Sequence, residues 1–182
     1  MRVRAQYKKL IRNETRLQIA ESRSHNAVKI PVSLACVHLH SDGNLGFMIR
    51  SAACFGATEV LVIGSLPHPR DLRQLSCGLD KFIDIKTFKN PGEFLAYTRE
   101  NDIHVVSLEI CEKAIDIREY KFPKDRKICI ITGNESTGVP GEIIMNSDCV
   151  KIPNPGIGSC LNTSQASNII LFDCWRQLQE TY

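Results

Sequence analysis

The sequence predicts an α/β fold, a mainly parallel six-stranded sheet with helices on both faces. Six short β-rich runs alternate with helix-length segments. The runs are almost continuously apolar, as expected of strands covered on both faces rather than of a half-exposed sheet. The 182 residues, 43% hydrophobic and 24% charged, make one domain of ordinary globular composition, without internal repeat or low-complexity tract.

In chain order, residues 1–30 form a basic arm. Seven Lys or Arg fall within 1–23 against Glu14 and Glu21, so the net charge of +3 belongs to the arm and the remainder is slightly acidic. Val3, Tyr7, Leu10 and Leu17 recur at helical spacing, interrupted by Glu14, with Arg4, Lys8 and Arg12 among the surrounding cations. Such a helix is either a solvated surface face or a cationic contact for a polyanion.

Strands are expected at 34–39, 59–63, 81–85, 103–108, 127–132 and 149–152. A helix over 44–56 follows the first, with Asp42 or Asn44 as N-cap. Pro69 and Pro91 stand where the next two helices begin, because proline fits the first helical turn. Pro140 plays that part in a start around 138–141. The last helix, 164–179, is capped by Asn162, Thr163 or Ser164 and carries apolar residues at Ile169, Ile170, Phe172 and Trp175.

Several function classes are disfavoured. The eight cysteines never come closer than eleven positions, so no CxxC zinc or redox motif and no compact disulfide scaffold exists. No apolar run has the length of a membrane span, and the first residues lack a leader's apolar core. The expectation is a cytoplasmic protein with reduced thiols, no membrane partner and no metal. His38 and His40 alternate on one strand but lack further ligands nearby, and are read as structural. Gly156 and Gly158 lack the third glycine and the following strand of a dinucleotide fingerprint.

Three segments are not ordinary core, and each follows a strand, where ligands bind in open α/β sheets. The first, 41–50, contains Asn44 and Gly46 and ends on Arg50, within a small apolar helix face. A guanidinium there is either paired structurally or faces a cleft. The second, 132–141, holds Gly133, Asn134, Glu135 and Gly138. The third, 152–164, runs from Ile152 through two glycines to Cys160, Leu161 and Asn162.

In order and spacing these segments resemble the three signature motifs of the SpoU (TrmH/TrmL-like) class of SPOUT RNA 2′-O-ribose methyltransferases. Asn44-x-Gly46-x-x-x-Arg50 with Ala52, Phe55, Gly56 and Gly64 is similar to the first motif. Gly133-Asn134-Glu135-x-x-Gly138-Val139-Pro140 is similar to the second. Ile152-Pro153 with Gly156 and Cys160-Leu161-Asn162-Thr163-Ser164 is similar to the third, except that Cys160 stands where the class has serine and Ser159 lies one place earlier. The resemblance covers about residues 33–178.

It implies a deep C-terminal trefoil knot, a catalytic domain over 31–182 and a homodimer. The implied activity is methyl transfer from S-adenosyl-L-methionine to a ribose 2′-hydroxyl in tRNA or rRNA, tRNA being favoured. Gly133, Ile152, Leu161 and Leu108 are implied as cofactor contacts, and Cys160 occupies a matching cofactor-binding position without the matching hydroxyl. Asn44, Arg50, Glu135 and Asn162 are implied as the catalytic group. An arginine is effectively never deprotonated, so Arg50 is expected to stabilise developing negative charge and to grip RNA phosphate with Arg4, Lys8 and Arg12, leaving the proton acceptor unassigned. The alternative is a non-catalytic RNA-binding protein on the same fold, for which Cys160 is the sequence argument.

Overall fold

A computed structural model describes residues 29–179 except 38 and 40. The arm with Arg4, Lys8 and Arg12, and the two histidines His38 and His40, lie outside the described residues. The strands are β1 (Val32–Val37), β2 (Glu59–Ile63), β3 (Asp84–Phe88), β4 (Ile103–Leu108), β5 (Ile115–Asp116), β6 (Lys127–Thr132) and β7 (Asp148–Lys151). They form one sheet in the order β3-β2-β1-β6-β4-β7-β5, and every pair is parallel. The helices are α1 (Asp42–Cys54), α2 (Pro69–Leu75), α3 (Pro91–Glu100), α4 (Gly141–Met145) and α5 (Thr163–Gln179).

The unbroken apolar runs reflect a sheet covered twice. Leu34, Cys36, Val60, Val62, Ile128, Ile130 and Val150 turn to one face, against Met48, Ile49 and Ala52 of α1 and Ile170, Leu171 and Cys174 of α5. Their neighbours Ala35, Val37, Leu61, Ile63, Cys129 and Ile131 turn to the other, against Phe94 and Leu95 of α3 and Ile143 of α4. Side chains alternate across a strand, so both sets must be apolar when both faces are covered.

The differences from expectation have local causes. The sheet has seven strands because Ile115–Asp116 adds a two-residue strand beside β7, too short to leave a periodic pattern. β3 begins at Asp84, not at 81, because Leu79–Lys81 closes a 3-10 turn whose exit buries Ile83 in the core. α1 starts two residues early, with Ser41 as N-cap in place of Asp42 or Asn44, and stops before Gly56, at φ 76°. Pro140 is the N-cap of α4, one place outside the helix. In α5, Ile169 and Phe172 are exposed, while Ser167, Ile170, Leu171, Cys174 and Gln177 form the buried face.

α1 is held close to α2 by a missing side chain: a Cβ on Gly46 would overlap Leu75 Cβ and crowd its backbone. Asn44, two residues earlier, is thereby set against the strand ends. Gly46→Ala is expected to destabilise the protein by about 1–3 kcal/mol through overpacking. Denaturant unfolding checks this, with a lowered midpoint at unchanged slope as the expected result.

Candidate active site

β4, β6 and β7 end side by side, and the segments leaving them wall a cavity of about 470 Å³. β6 runs into a tight loop in which Asn134 and Gly138 exchange backbone bonds, N–H to O, of 3.1 and 3.0 Å. The Asn134 side-chain oxygen accepts from the Ser136 and Thr137 amides at 2.8 and 3.2 Å, so the asparagine acts as a second turn inside the first. Gly133 cannot carry a side chain here, since its Cβ would overlap the backbone of Gly138 and Val139. Gly138 adopts φ 67°, the left-handed region that favours glycine.

Glu109, just past β4, clamps this loop from the other side. Its Oε2 accepts the Val139 amide at 2.9 Å and its Oε1 accepts the Ile110 amide at 2.8 Å. A Cβ on Gly138 would collide with the same carboxylate. Sequence reasoning passed over Glu109, although a charge directly after an apolar strand, at the end where ligands bind, is a usable signal.

The catalytic group of the sequence reading divides in two. Asn162 caps α5: its Oδ1 accepts from the Ser164 amide at 2.9 Å, the Ser164 hydroxyl at 2.7 Å and the Gln165 amide at 3.4 Å. The oxygen of the amide therefore faces the helix and the nitrogen faces away. That Nδ2 donates to Asn44 Oδ1 at 3.1 Å, which turns the Asn44 nitrogen toward Glu135 Oε1, to which it donates at 2.6 Å. Three residues 91 and 118 positions apart thus form one chain. Asn44 is buried behind the wall; Glu135 and Asn162 are part of the lining.

Arg50 lies elsewhere. Six residues beyond Asn44 it points about 240° round the helix axis. Its guanidinium is exposed and donates to Cys77 Sγ at 3.5 Å, so among the described residues it neither forms a buried ion pair nor reaches the cavity.

The five residues expected to hold a cofactor, Leu108, Gly133, Ile152, Cys160 and Leu161, all line the cavity. Ser159 does not take the place of the missing hydroxyl: it stays outside the lining, with its Oγ 3.9 Å from Cys160 Sγ. Among the described residues, the charged groups of the lining are Glu109 and Glu135, with no lysine, arginine or histidine beside them. Carboxylates in a lining favour a cationic ligand group. Beneath it, burial pushes the Cys36 thiol up to about 12, the Glu135 carboxylate adding to the effect. No group of three metal-ligating side chains occurs among the described residues, and none of their helices is long and apolar enough to cross a membrane.

Residues 31–172 match the SpoU rRNA Methylase family. The chain is 28% identical over 142 residues to an Escherichia coli tRNA (guanosine(18)-2′-O)-methyltransferase, covering 78% of this chain and 61% of that relative's length. Its fold superposes on an AdoMet-bound rRNA methyltransferase from Sinorhizobium meliloti with a TM-score of 0.74 and 26% identity, over 81% of this chain and 56% of the other. A chain solved in work on the 2-OH methylation of C/U34 on tRNA is similar in fold, with a TM-score of 0.73 and 23% identity, over 83% of this chain and 99% of that one.

Gly133→Ala is expected to open the Asn134–Gly138 turn while the sheet stays folded. Hydrogen exchange should show lost protection at those two amides and retained protection in β1 and β6.

Proposed function

This chain belongs to the SpoU rRNA methylase family, and from that premise we propose that it transfers a methyl group from S-adenosylmethionine to the ribose 2′-hydroxyl of a nucleotide in RNA, with tRNA as the favoured substrate. The observation that carries the reading is the Asn162–Asn44–Glu135 chain set in the wall of an acidic cavity. Relatives that act on tRNA and on rRNA support the choice of RNA.

The residues present fit the cofactor. The cavity has the size of a small-molecule site. The carboxylates of Glu109 and Glu135 suit a sulfonium, and the backbone at Leu108, Gly133, Ile152 and Leu161 offers polar groups around an apolar lining. Bound there, S-adenosylmethionine supplies an electrophilic methyl on a positively charged sulfur. Glu109 and Glu135 hold negative potential toward that charge, and Glu109 fixes the loop that carries Glu135. Positioning two reactants in this way can supply much of a methyl-transfer rate.

RNA phosphate must be met outside this acidic cavity. Arg50, exposed on α1, and Arg4, Lys8 and Arg12 of the arm are the residues assigned to it. A homodimer, the knotted C-terminal threading, the division into an arm of 1–30 and a catalytic domain of 31–182, and a cytoplasmic location belong to the same proposal. Exposed Ile157, Ile169 and Phe172 support the dimer. The non-catalytic alternative is favoured by one observation, that the thiol of Cys160 is a weak donor where the family motif has a hydroxyl.

Incubation with labelled S-adenosylmethionine and unmodified tRNA transcripts, followed by nucleoside analysis, should yield a 2′-O-methylated nucleoside. Cys160→Ser should preserve or raise the yield. Cofactor binding without transfer to any tRNA or rRNA would leave the non-catalytic alternative standing.

A further inference from the structure

We propose that Cys111 and Cys149 form a reversible oxidation site, a thiol pair that peroxide converts to a disulfide and that acts on the cofactor cavity through the neighbouring Glu109. The chain leaves β4 on one side of β7 and returns as β5 on the other. The Glu109 amide donates to Val150 O at 3.0 Å from the first side, and Ile115 pairs with Val150 from the second. Residues 110–114 therefore cross over β7. Lys113 Nζ donates to the carbonyls of Ile144 and, at 3.0 Å, of Ser147, at the end of α4, so the crossing lies on the face that α4 covers. Val150 belongs to the opposite face, with α1 and α5, and side chains alternate along a strand, so Cys149 points into the crossing. There its thiol is a hydrogen-bonding neighbour of Cys111.

The other cysteines are placed differently. Cys36 and Cys129 are buried on opposite faces of the sheet, and Cys174 is held in the core by α5. Cys54 is exposed at the end of α1, Cys77 Sγ receives the Arg50 guanidinium, and Cys160 stands beside Ser159 in the cavity lining. In the Cys111–Cys149 pair one thiol is accessible and the other enclosed: Cys111 is half-buried and Cys149 is 2% exposed. Burial, with the Cys111 thiol beside it, pushes the Cys149 thiol up to about 11, and the Lys113 ammonium works against the shift. Cys149 stays protonated near neutral pH and is the resolving thiol, while the more accessible Cys111 meets the oxidant first.

The step balances. The Cys111 sulfur forms an S–O bond to one oxygen of hydrogen peroxide as the O–O bond breaks, leaving a sulfenic acid and one water. The Cys149 sulfur then forms the S–S bond as that S–O bond breaks, and the departing hydroxide takes the Cys149 proton as a second water. Two thiols lose two electrons and two protons, and the peroxide receives both; a dithiol reductant reverses the change by exchange. An S–S bond is about 2.05 Å long, shorter than any contact between unbonded sulfurs, so the crossing is drawn toward β7 and the backbone of Ile110 with it. Glu109 and Ile110 line the cavity, and the Glu109 carboxylate receives both the Ile110 and the Val139 amides. Oxidation therefore loosens the clamp on the loop after β6. That S-adenosylmethionine is the ligand then held less tightly rests on the reading of the protein as a methyltransferase.

The test compares the full chain before and after titration with hydrogen peroxide. Digestion without reductant and mass spectrometry should find the Cys111 and Cys149 peptides joined, lighter by the two thiol hydrogens and separated again by dithiothreitol. Peroxide that leaves this pair unlinked, or links either cysteine to another one instead, overturns the site. In the oxidised protein the Ile110 and Val139 amides should exchange hydrogen about tenfold faster or more, with protection kept in β1 and β6. Cys111→Ser, at a half-buried position, should fold and make both amides indifferent to peroxide, and Cys149→Ala should do the same from the enclosed side. Unchanged exchange at the two amides on oxidation, or an equal response in the two variants, overturns the link to the cavity. By calorimetry, oxidation should weaken S-adenosylmethionine binding about fivefold or more in the unaltered protein and not in Cys111→Ser. Equal affinity before and after oxidation overturns control of the cofactor site. A reduced protein that binds no S-adenosylmethionine overturns the proposed function, and the disulfide map and the exchange rates then still decide the oxidation site.

Discussion

Asn162 does two things with one amide. Its oxygen satisfies backbone donors at the start of α5, and because that is settled, its nitrogen has only one direction to face. The consequence runs through Asn44 to Glu135 and ties the C-terminal segment, the first helix and the loop after β6 into one wall. Helix α5 packs on the same sheet face as α1, through Ile170, Leu171 and Cys174 against Met48 and Ile49, so the cap is held by the core as well as by its own bonds. The orientation of the two amides in the wall is therefore a consequence of packing a helix.

A second constraint works from the other side. Gly133 and Gly138 let the motif-two loop fold onto itself, and Glu109 closes the remaining gap by taking the Val139 amide. The parallel sheet brings these parts together because β4, β6 and β7 are neighbours and end at the same level. Their register pairs Leu108 with Thr132 and with Val150. Among the described residues, the charged groups that this arrangement brings to the cavity are the carboxylates of Glu109 and Glu135. Arg50, exposed on α1, lies outside that lining.

Much of this was legible in the chain. The apolar runs at 59–63, 103–108 and 127–132 coincide with β2, β4 and β6, and Pro69 and Pro91 start helices because their fixed φ suits the first turn. The three polar segments contain every residue of the Asn162–Asn44–Glu135 chain. What the chain concealed was direction. Asn44 and Arg50 belong to one motif, yet helical geometry sends them to different sides of α1. Ile169 and Phe172 look like core by type but fall outside the buried stripe of Ser167, Ile170, Cys174 and Gln177. β5 escaped because two residues carry no period, and Glu109 because a charge following a strand is ordinary until its two amide partners are seen.

The central claim, that Asn162 and Asn44 act as one element, is tested most directly by a double-mutant cycle. The unfolding free energies of Asn44→Ala, Asn162→Ala and the double variant are compared with that of the unaltered protein. Coupling of about 0.5–3 kcal/mol is predicted, as for residues sharing one hydrogen-bond network. Additivity within about 0.3–0.5 kcal/mol would show the two asparagines to be independent and would contradict the account.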